Sequence, residues 1–275
     1  VTVLPASPIP HATPERLRRL FLEGFTVLDI AEPLVSFDAE ASAPAVRERL
    51  VERDFDLVGV RREGLVCGYA VREELATGLL GDHLRAFGQD DCVDEGASLV
   101  EAIQSLGVNG RCFVTVLDRA GAIVTLADLE KPPVRMLLFG MITIVEMLVA
   151  ERIRDCFPEG GWEDRVAEGR LAKARELQQE RARRGECVDL LECLQFSDKG
   201  QILLRDPAER AALGLASRKE GLRNLKELET LRNNLAHSQG IVASSWARIV
   251  RFTGNLDRLL AAQTRRGEPR VREGA

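Results

Sequence analysis

Two stretches of the 275-residue chain read alike. "FDLVGVRREGLVCGYAVREEL" begins at Phe55 and "CFVTVLDRAGAIVTLADLEK" at Cys112. They align on Gly64 and Gly121. Each reads as a strand, a tight turn at the glycine, a second strand and the start of a helix. A helix-like segment precedes each, "APAVRERLVERD" in one and "SLVEAIQSLG" in the other. Each of those follows a short extended piece with acidic turn residues, "PLVSFDAEAS" or "DDCVDEGAS". The predicted unit is strand–helix–strand–strand–helix, used twice. One copy is too small to bury its own apolar face, so two copies are expected to share a core.

From Pro132 the texture changes. "PPVRMLLFGMITIVEMLVAERIRDCF" opens on prolines, which suit a first helical turn, and is apolar nearly all round, as a buried central helix is. "WEDRVAEGRLAKARELQQERARRG" reads as a long charged helix closed by Gly185. "VDLLECLQF" reads as a short helix. "SDKGQILLRDPAERAALGL" reads as a turn-rich connection with a short helix after Pro207. "SRKEGLRNLKELETLRNNLAHSQG" starts with Ser217 and Glu220 in capping-box spacing and ends at Gly240. "IVASSWARIVRFTGNLDRLLAAQ" makes a last helix. The fold class is therefore α+β followed by an all-α bundle. The expected domains are a segment 1–19, a repeat pair 20–131, a helical bundle 132–266 and a disordered tail 267–275.

Charge divides the chain at the same place. Residues 1–131 hold 13 basic and 22 acidic side chains, and residues 132–275 hold 25 and 21. Only the second half is suited to a polyanion. Six cysteines without a CxxC pair, in a chain showing no basic-then-apolar leader, read as reduced, buried thiols of a cytoplasmic protein. With three histidines, a protein metal cluster is not expected, and the absence of an unbroken apolar run of eighteen argues against a membrane span.

The repeat resembles the CBS-domain pair, or Bateman module, over roughly residues 20–131. The piece that carries the resemblance is "GAIVTLAD", matching the family's glycine, apolar residues and Thr/Ser-x-x-Asp. In family members that bind adenosine nucleotides this threonine and aspartate contact phosphate and ribose. Carried over, they are Thr125 and Asp128, and the implied regulatory ligand is AMP-, ADP- or ATP-like. In the glycine alignment Gly68 and Val71 stand at the matching positions of the first copy, so one nucleotide site per chain is implied. A helix N-cap role for Asp128 and a purely structural module remain open.

The helix "LRNNLAHSQG" holds the second candidate. Leu225, Leu228, Leu231 and Leu235 make its apolar stripe, while Asn233 and His237 are four apart and share a face. Arg and His near a helix C-terminus also complement its dipole. "RNNLAH" within such a bundle resembles the HEPN family, whose motif is Arg, four to six residues, His. The resemblance covers roughly 132–266. It implies a metal-independent endoribonuclease with His237 as general acid/base, Arg232 as transition-state clamp and Asn233 as positioning group. No cofactor is required for that chemistry. The resemblance also implies a homodimer with a composite site, an RNA substrate, and a role in stress response or defence against mobile elements. Some family members pair with a separate antitoxin or nucleotidyltransferase. Two further readings stay open: an adenylate-sensing regulator whose bundle only dimerises or binds a partner, and a binding module without turnover.

Overall fold

The computed structural model describes residues 13–237, 239–241 and 246–254. They form two compact units, one of residues 21–137 with helical residues 246–254, the other of residues 138–241 with residues 13–20. The division falls inside one helix, between Leu137 and Leu138, and not at the expected boundary 131/132. Residues 246–254, expected with the bundle, belong instead to the first unit. The reason is a specific contact. Gln104 donates through Nε2 to the Val250 carbonyl at 2.9 Å and to the buried Thr253 hydroxyl at 2.8 Å. Gly107 makes room for Val250, since a Cβ there would meet its Cγ1 at 2.8 Å. The expected tail 267–275 and most of the expected N-terminal segment lie outside the described residues.

Helix α1 is Pro14–Leu22. The first copy of the repeat comprises β2 Ser36–Asp38, α2 Ala43–Glu52, β3 Leu57–Arg62 and β4 Leu65–Val71, preceded by β1 Glu32–Pro33. The second comprises β5 Cys92–Asp94, α3 Leu99–Asn109, β6 Arg111–Val116 and β7 Arg119–Thr125. In each, the leading strand pairs parallel with the next, which forms an antiparallel hairpin with the last. Val46 and Leu50 of α2 close over Val58, Val60 and Ala70 of the first sheet. A second cluster joins Tyr69, Phe87 and Phe113, with ring centroids 4.7 to 6.0 Å apart. The closing helix expected in each copy is only a short 3-10 turn, Arg72–Glu74 in one and Leu126–Glu130 in the other.

The correspondence between copies differs from the glycine alignment. The first hairpin turns on Glu63 and Gly64, both left-handed with φ of 50° and 79°. The second turns on Leu117 and Asp118, with φ of 50° and 61°. Two successive left-handed residues suit the twist of a two-residue hairpin. Gly64 therefore corresponds to Asp118 and not to Gly121. Gly121 is not a turn residue but lies at the bulge where the β6–β7 register shifts. Cys67 takes that place in β4, where the register shifts at the same point.

The copies are also interlocked. β1, ahead of the first copy, pairs with the last strand of the second, Glu32 opposite Ile123. Arg85, ahead of the second copy, bridges Tyr69 in the last strand of the first. Likewise Val27 donates its amide to the Ala97 carbonyl, and Leu80 donates to Ala41. The segment leading into each copy thus completes the sheet edge and the helix entry of the other. Gly68 is needed for this exchange, because a Cβ there would stand 2.2 Å from the Arg85 carbonyl oxygen.

The second unit is helical: α4 Pro132–Cys156, shared with the first unit, then α5 Glu168–Arg183, α6 Phe196–Leu204, α7 Pro207–Ala212 and α8 Arg218–Ala236. Helix α6 falls where a turn-rich connection was expected. Gly200, within that segment, lets Leu225 of α8 approach, as a Cβ there would meet Leu225 at 2.7 Å. Gly221 does the same for Leu204. Phe196, Leu204 and Leu225 form one core cluster, and Ile153, Trp162, Leu191 and Ile202 belong to another. Helix α4 is long and apolar enough to cross a membrane by length and composition. Its Leu138, Met141, Ile142 and Ile144 are buried, whereas Met136 and Phe139 are exposed. All six cysteines are free. Only Cys112 and Cys193 are buried; Cys92 and Cys156 are half-buried and Cys67 and Cys187 exposed, so the expectation of six buried thiols holds for two. Burial pushes the Cys112 and Cys193 thiols up.

Candidate functional site

Thr125 ends β7, and its extended backbone opens the 3-10 turn that holds Asp128. The carboxylate folds back on its own turn. Asp128 Oδ2 accepts from the Thr125 amide at 2.7 Å and the Thr125 hydroxyl at 3.0 Å. Oδ1 faces Lys131 Nζ at 2.9 Å. Lys131 in turn donates to the Ile30 carbonyl at 2.6 Å and pairs with Glu32. Burial opposes the charge on Lys131, but the Glu32 and Asp128 carboxylates outweigh it and hold its pKa above the ordinary lysine value. Asp128 is 6% exposed, and both of its oxygens are bonded within the chain.

That fold-back is a general device of this unit. Asp29 accepts from the Thr26 amide, Asp82 from Leu79 and Asp91 from Gly88, each three residues earlier. "TVLD" at Thr26 even repeats the Thr-x-x-Asp pattern. Asp128 is thus a back-bonded third residue of a turn whose N-cap is Thr125, not an N-cap itself. The buried carboxylate and the adjoining lysine distinguish it from the other three.

With the hairpin turns superposed, the first-copy positions equivalent to Thr125 and Asp128 are Val71 and Glu74, in place of Gly68 and Val71. Glu74 receives Arg85, with Nε 3.2 Å from Oε2. The second copy therefore pairs its acid with the lysine that closes its own turn, and the first pairs its acid with an arginine from the linker. Glu74 went unnoticed in the sequence because the alignment rested on glycines, and the turn in the second copy contains none.

In the helical unit, Ser217 accepts from the Glu220 amide at 3.1 Å and starts α8. The Glu220 carboxylate reaches one residue further back than a capping box does, to the Ala216 amide at 2.9 Å. Leu225, Leu231 and Leu235 are buried and Leu228 packs on the same core. Arg232, Asn233 and His237 are all exposed on the other side. His237 caps the helix, its amide donating to the Asn233 carbonyl at 3.0 Å.

Two charged pairs that the sequence did not single out lie in this unit. Glu146 of α4 holds Lys199 of α6 through Oε1 at 3.0 Å, while Oε2 lies 3.8 Å from Arg232 Nη2. Arg152 binds Glu209 through two hydrogen bonds of 2.8 and 2.6 Å. The Arg152 guanidinium holds the Glu209 carboxyl below the usual glutamate range, against the opposing effect of burial. The sequence carried no spacing signal for either pair, because the partners are 53 and 57 residues apart. Among the described residues no group of three His, Cys, Asp or Glu is placed to hold a metal ion.

No family model and no curated protein matches the chain. Solved structures similar to it include several CBS domains. One is the CBS domain of a bacterial CNNM/CorC family Mg2+ transporter, 20% identical, covering 42% of this chain and 78% of that one with a TM-score of 0.35. The same domain in complex with ATP is 17% identical, covering 46% and 94%, TM-score 0.35. A CBS-pair protein from Arabidopsis thaliana is 17% identical, covering 38% and 91%, TM-score 0.34. Likeness at this level assigns no residue of this chain a role.

Proposed function

We propose that the repeat is a CBS-type adenosine-nucleotide sensor and that the helical unit is a HEPN-type, metal-independent endoribonuclease working as a homodimer. The observation that carries the enzymatic half is the division of labour on α8. Its leucines pack into the core, and its arginine, asparagine and histidine all face solvent.

In this reading the RNA 2′-hydroxyl attacks the adjacent phosphorus as the bond from phosphorus to the 5′-oxygen breaks. The products are a 2′,3′-cyclic phosphate and a 5′-hydroxyl. An imidazole takes the nucleophile's proton or supplies one to the leaving oxygen, which is the task given to His237. Arg232 stabilises charge gathering on the phosphoryl oxygens, and Asn233 orients the imidazole or the phosphate. Nucleotide binding in the repeat exchanges the internal bonds of Asp128 for bonds to ribose hydroxyls.

The test is incubation of the purified chain with RNA in EDTA. Cleavage leaving a cyclic phosphate is expected, and His237→Ala should slow it by about two to four orders of magnitude. His237→Ala should leave melting unchanged, whereas Leu228→Ala should cost about 2 kcal/mol, the low end for a half-buried leucine. An absence of cleavage, or a His237→Ala protein as active as the parent, overturns the assignment. A second reading is an adenylate-sensing regulator whose bundle only associates. The exposed Met136 and Phe139 of α4 favour it, and it predicts binding of nucleotide with no RNA cleavage.

A further inference from the structure

Lys199 is a lysine on the inside of the helical unit, its side chain 6% exposed. Glu146, its partner at 3.0 Å, is 23% exposed, and Arg232, 3.8 Å from the other carboxylate oxygen, is 44% exposed. Three helices thus bring two cations to one carboxylate. The distances are unequal in a telling way. By separation alone the lysine draws on Glu146 about a quarter more strongly than Arg232 does, and its burial in a less polar surrounding widens that margin. At 3.8 Å the guanidinium makes no hydrogen bond to Glu146, so its N–H donors stay uncommitted to that acid. Arg232 is tethered without being captured.

We propose that Lys199 is a positioning residue for Arg232: by neutralising Glu146 it keeps the guanidinium available to a phosphodiester. The proposal rests on the reading of α8 as an RNA-binding face. Removing the ammonium would leave Glu146 with a single cation. Arg232 would then close onto it as a one-to-one ion pair, and an incoming phosphate would have to break that pair first. Lys199 itself is too buried to touch the RNA. Its effect must pass through Glu146 and Arg232, which gives it a signature that a direct contact or a general packing role lacks.

The experiment uses the full chain and a 2′-O-methyl RNA oligonucleotide, which binds without being cleaved because its 2′-oxygen is blocked. Affinity is read by fluorescence anisotropy. Lys199→Met should weaken binding about tenfold, the scale of one charge-assisted contact. Arg232→Ala should weaken it comparably, and the double variant should be no weaker than Arg232→Ala alone. Glu146→Gln combined with Lys199→Met removes both members of the pair and should restore affinity to within about twofold, as should Lys199→Arg. The double replacement also guards against misfolding, since it leaves no uncompensated charge, and thermal melting of each variant accompanies the titration. Unchanged affinity in Lys199→Met, losses that multiply with Arg232→Ala, no rescue by Glu146→Gln, or a parent chain that does not bind the probe would each overturn the proposal. Cleavage of unmodified RNA in EDTA is scored separately. A chain that shows the binding pattern yet never cleaves retains the Lys199 assignment and loses the ribonuclease reading, whereas cleavage without the pattern does the reverse.

Discussion

Val71 and Glu74 in the first copy of the repeat occupy the places that Thr125 and Asp128 hold in the second. The backbones agree closely: the same parallel pairing, the same bulge, the same two-residue hairpin and a 3-10 turn at the same point. The chemistry does not agree. In the second copy a short acid is buried and bonded to its own turn and to Lys131. In the first a longer acid is held by Arg85, and both side chains are roughly half exposed. Strand register is fixed by alternating burial and by the bulge, neither of which specifies the residue at the end of the last strand. Duplicated folds can therefore keep a position's backbone geometry and change its chemistry in one copy.

The largest test of this pairing is at Gly68. Gly68→Val should cost about 3 kcal/mol or more, because the new side chain meets a backbone carbonyl and not a flexible side-chain end. At the equivalent Ala122, replacement by glycine should cost only about 0.5–1 kcal/mol through chain entropy. Urea unfolding of both decides it, and similar losses would mean that Gly68 does not set the exchange of strands. Next in size is Asp128→Asn. Loss of a charged acceptor for the Thr125 amide and hydroxyl should lower stability by about 1–2 kcal/mol. Glu74→Gln, on an exposed pair, should leave the melting temperature where it is. Nucleotide titration of the same two proteins sharpens the contrast. Asp128→Asn should weaken adenylate binding strongly and Glu74→Gln should leave it intact; equal effects would make both copies ligand sites. The smallest change concerns the turns. Replacing Leu117 and Asp118 by Asn and Gly gives the second hairpin a sequence suited to its φ values and should stabilise it by about 1 kcal/mol. An unchanged melting temperature would show that Leu117, 84% exposed, carries no strain there.

Much of the fold was legible where periodicity speaks. The strands and helices of both copies, the onset of the helical half at Pro132 and the leucine stripe of α8 all follow from spacing. Glycines misled in two ways. Gly121 reads as a turn but marks a bulge, Gly200 lies in a segment that reads as a turn-rich connection but allows a close helix contact, and the true turn at Leu117 and Asp118 has no glycine to announce it. Of the candidate residues, the structure brings Thr125 and Asp128 into direct contact and places Arg232, Asn233 and His237 on one helix end. It adds Lys131, Glu74, Glu146 and Lys199, whose relevance depends on the partners that folding gives them. An ion pair made across 53 residues leaves no periodic trace.

The bond from Gln104 to Val250 spans 146 residues. On a ribosome adding roughly 5–20 residues per second, the partner of Gln104 is made about 7–30 seconds after Gln104 itself. The whole of residues 138–241 is synthesised in that interval. Residues of the half translated first are therefore packed last, and the α3 face that receives Val250 and Thr253 stays uncovered until residues 246–254 are made. Any message truncated after the codon for Ile241 encodes helices α4 to α8 in full beside a repeat pair that lacks the helical residues 246–254.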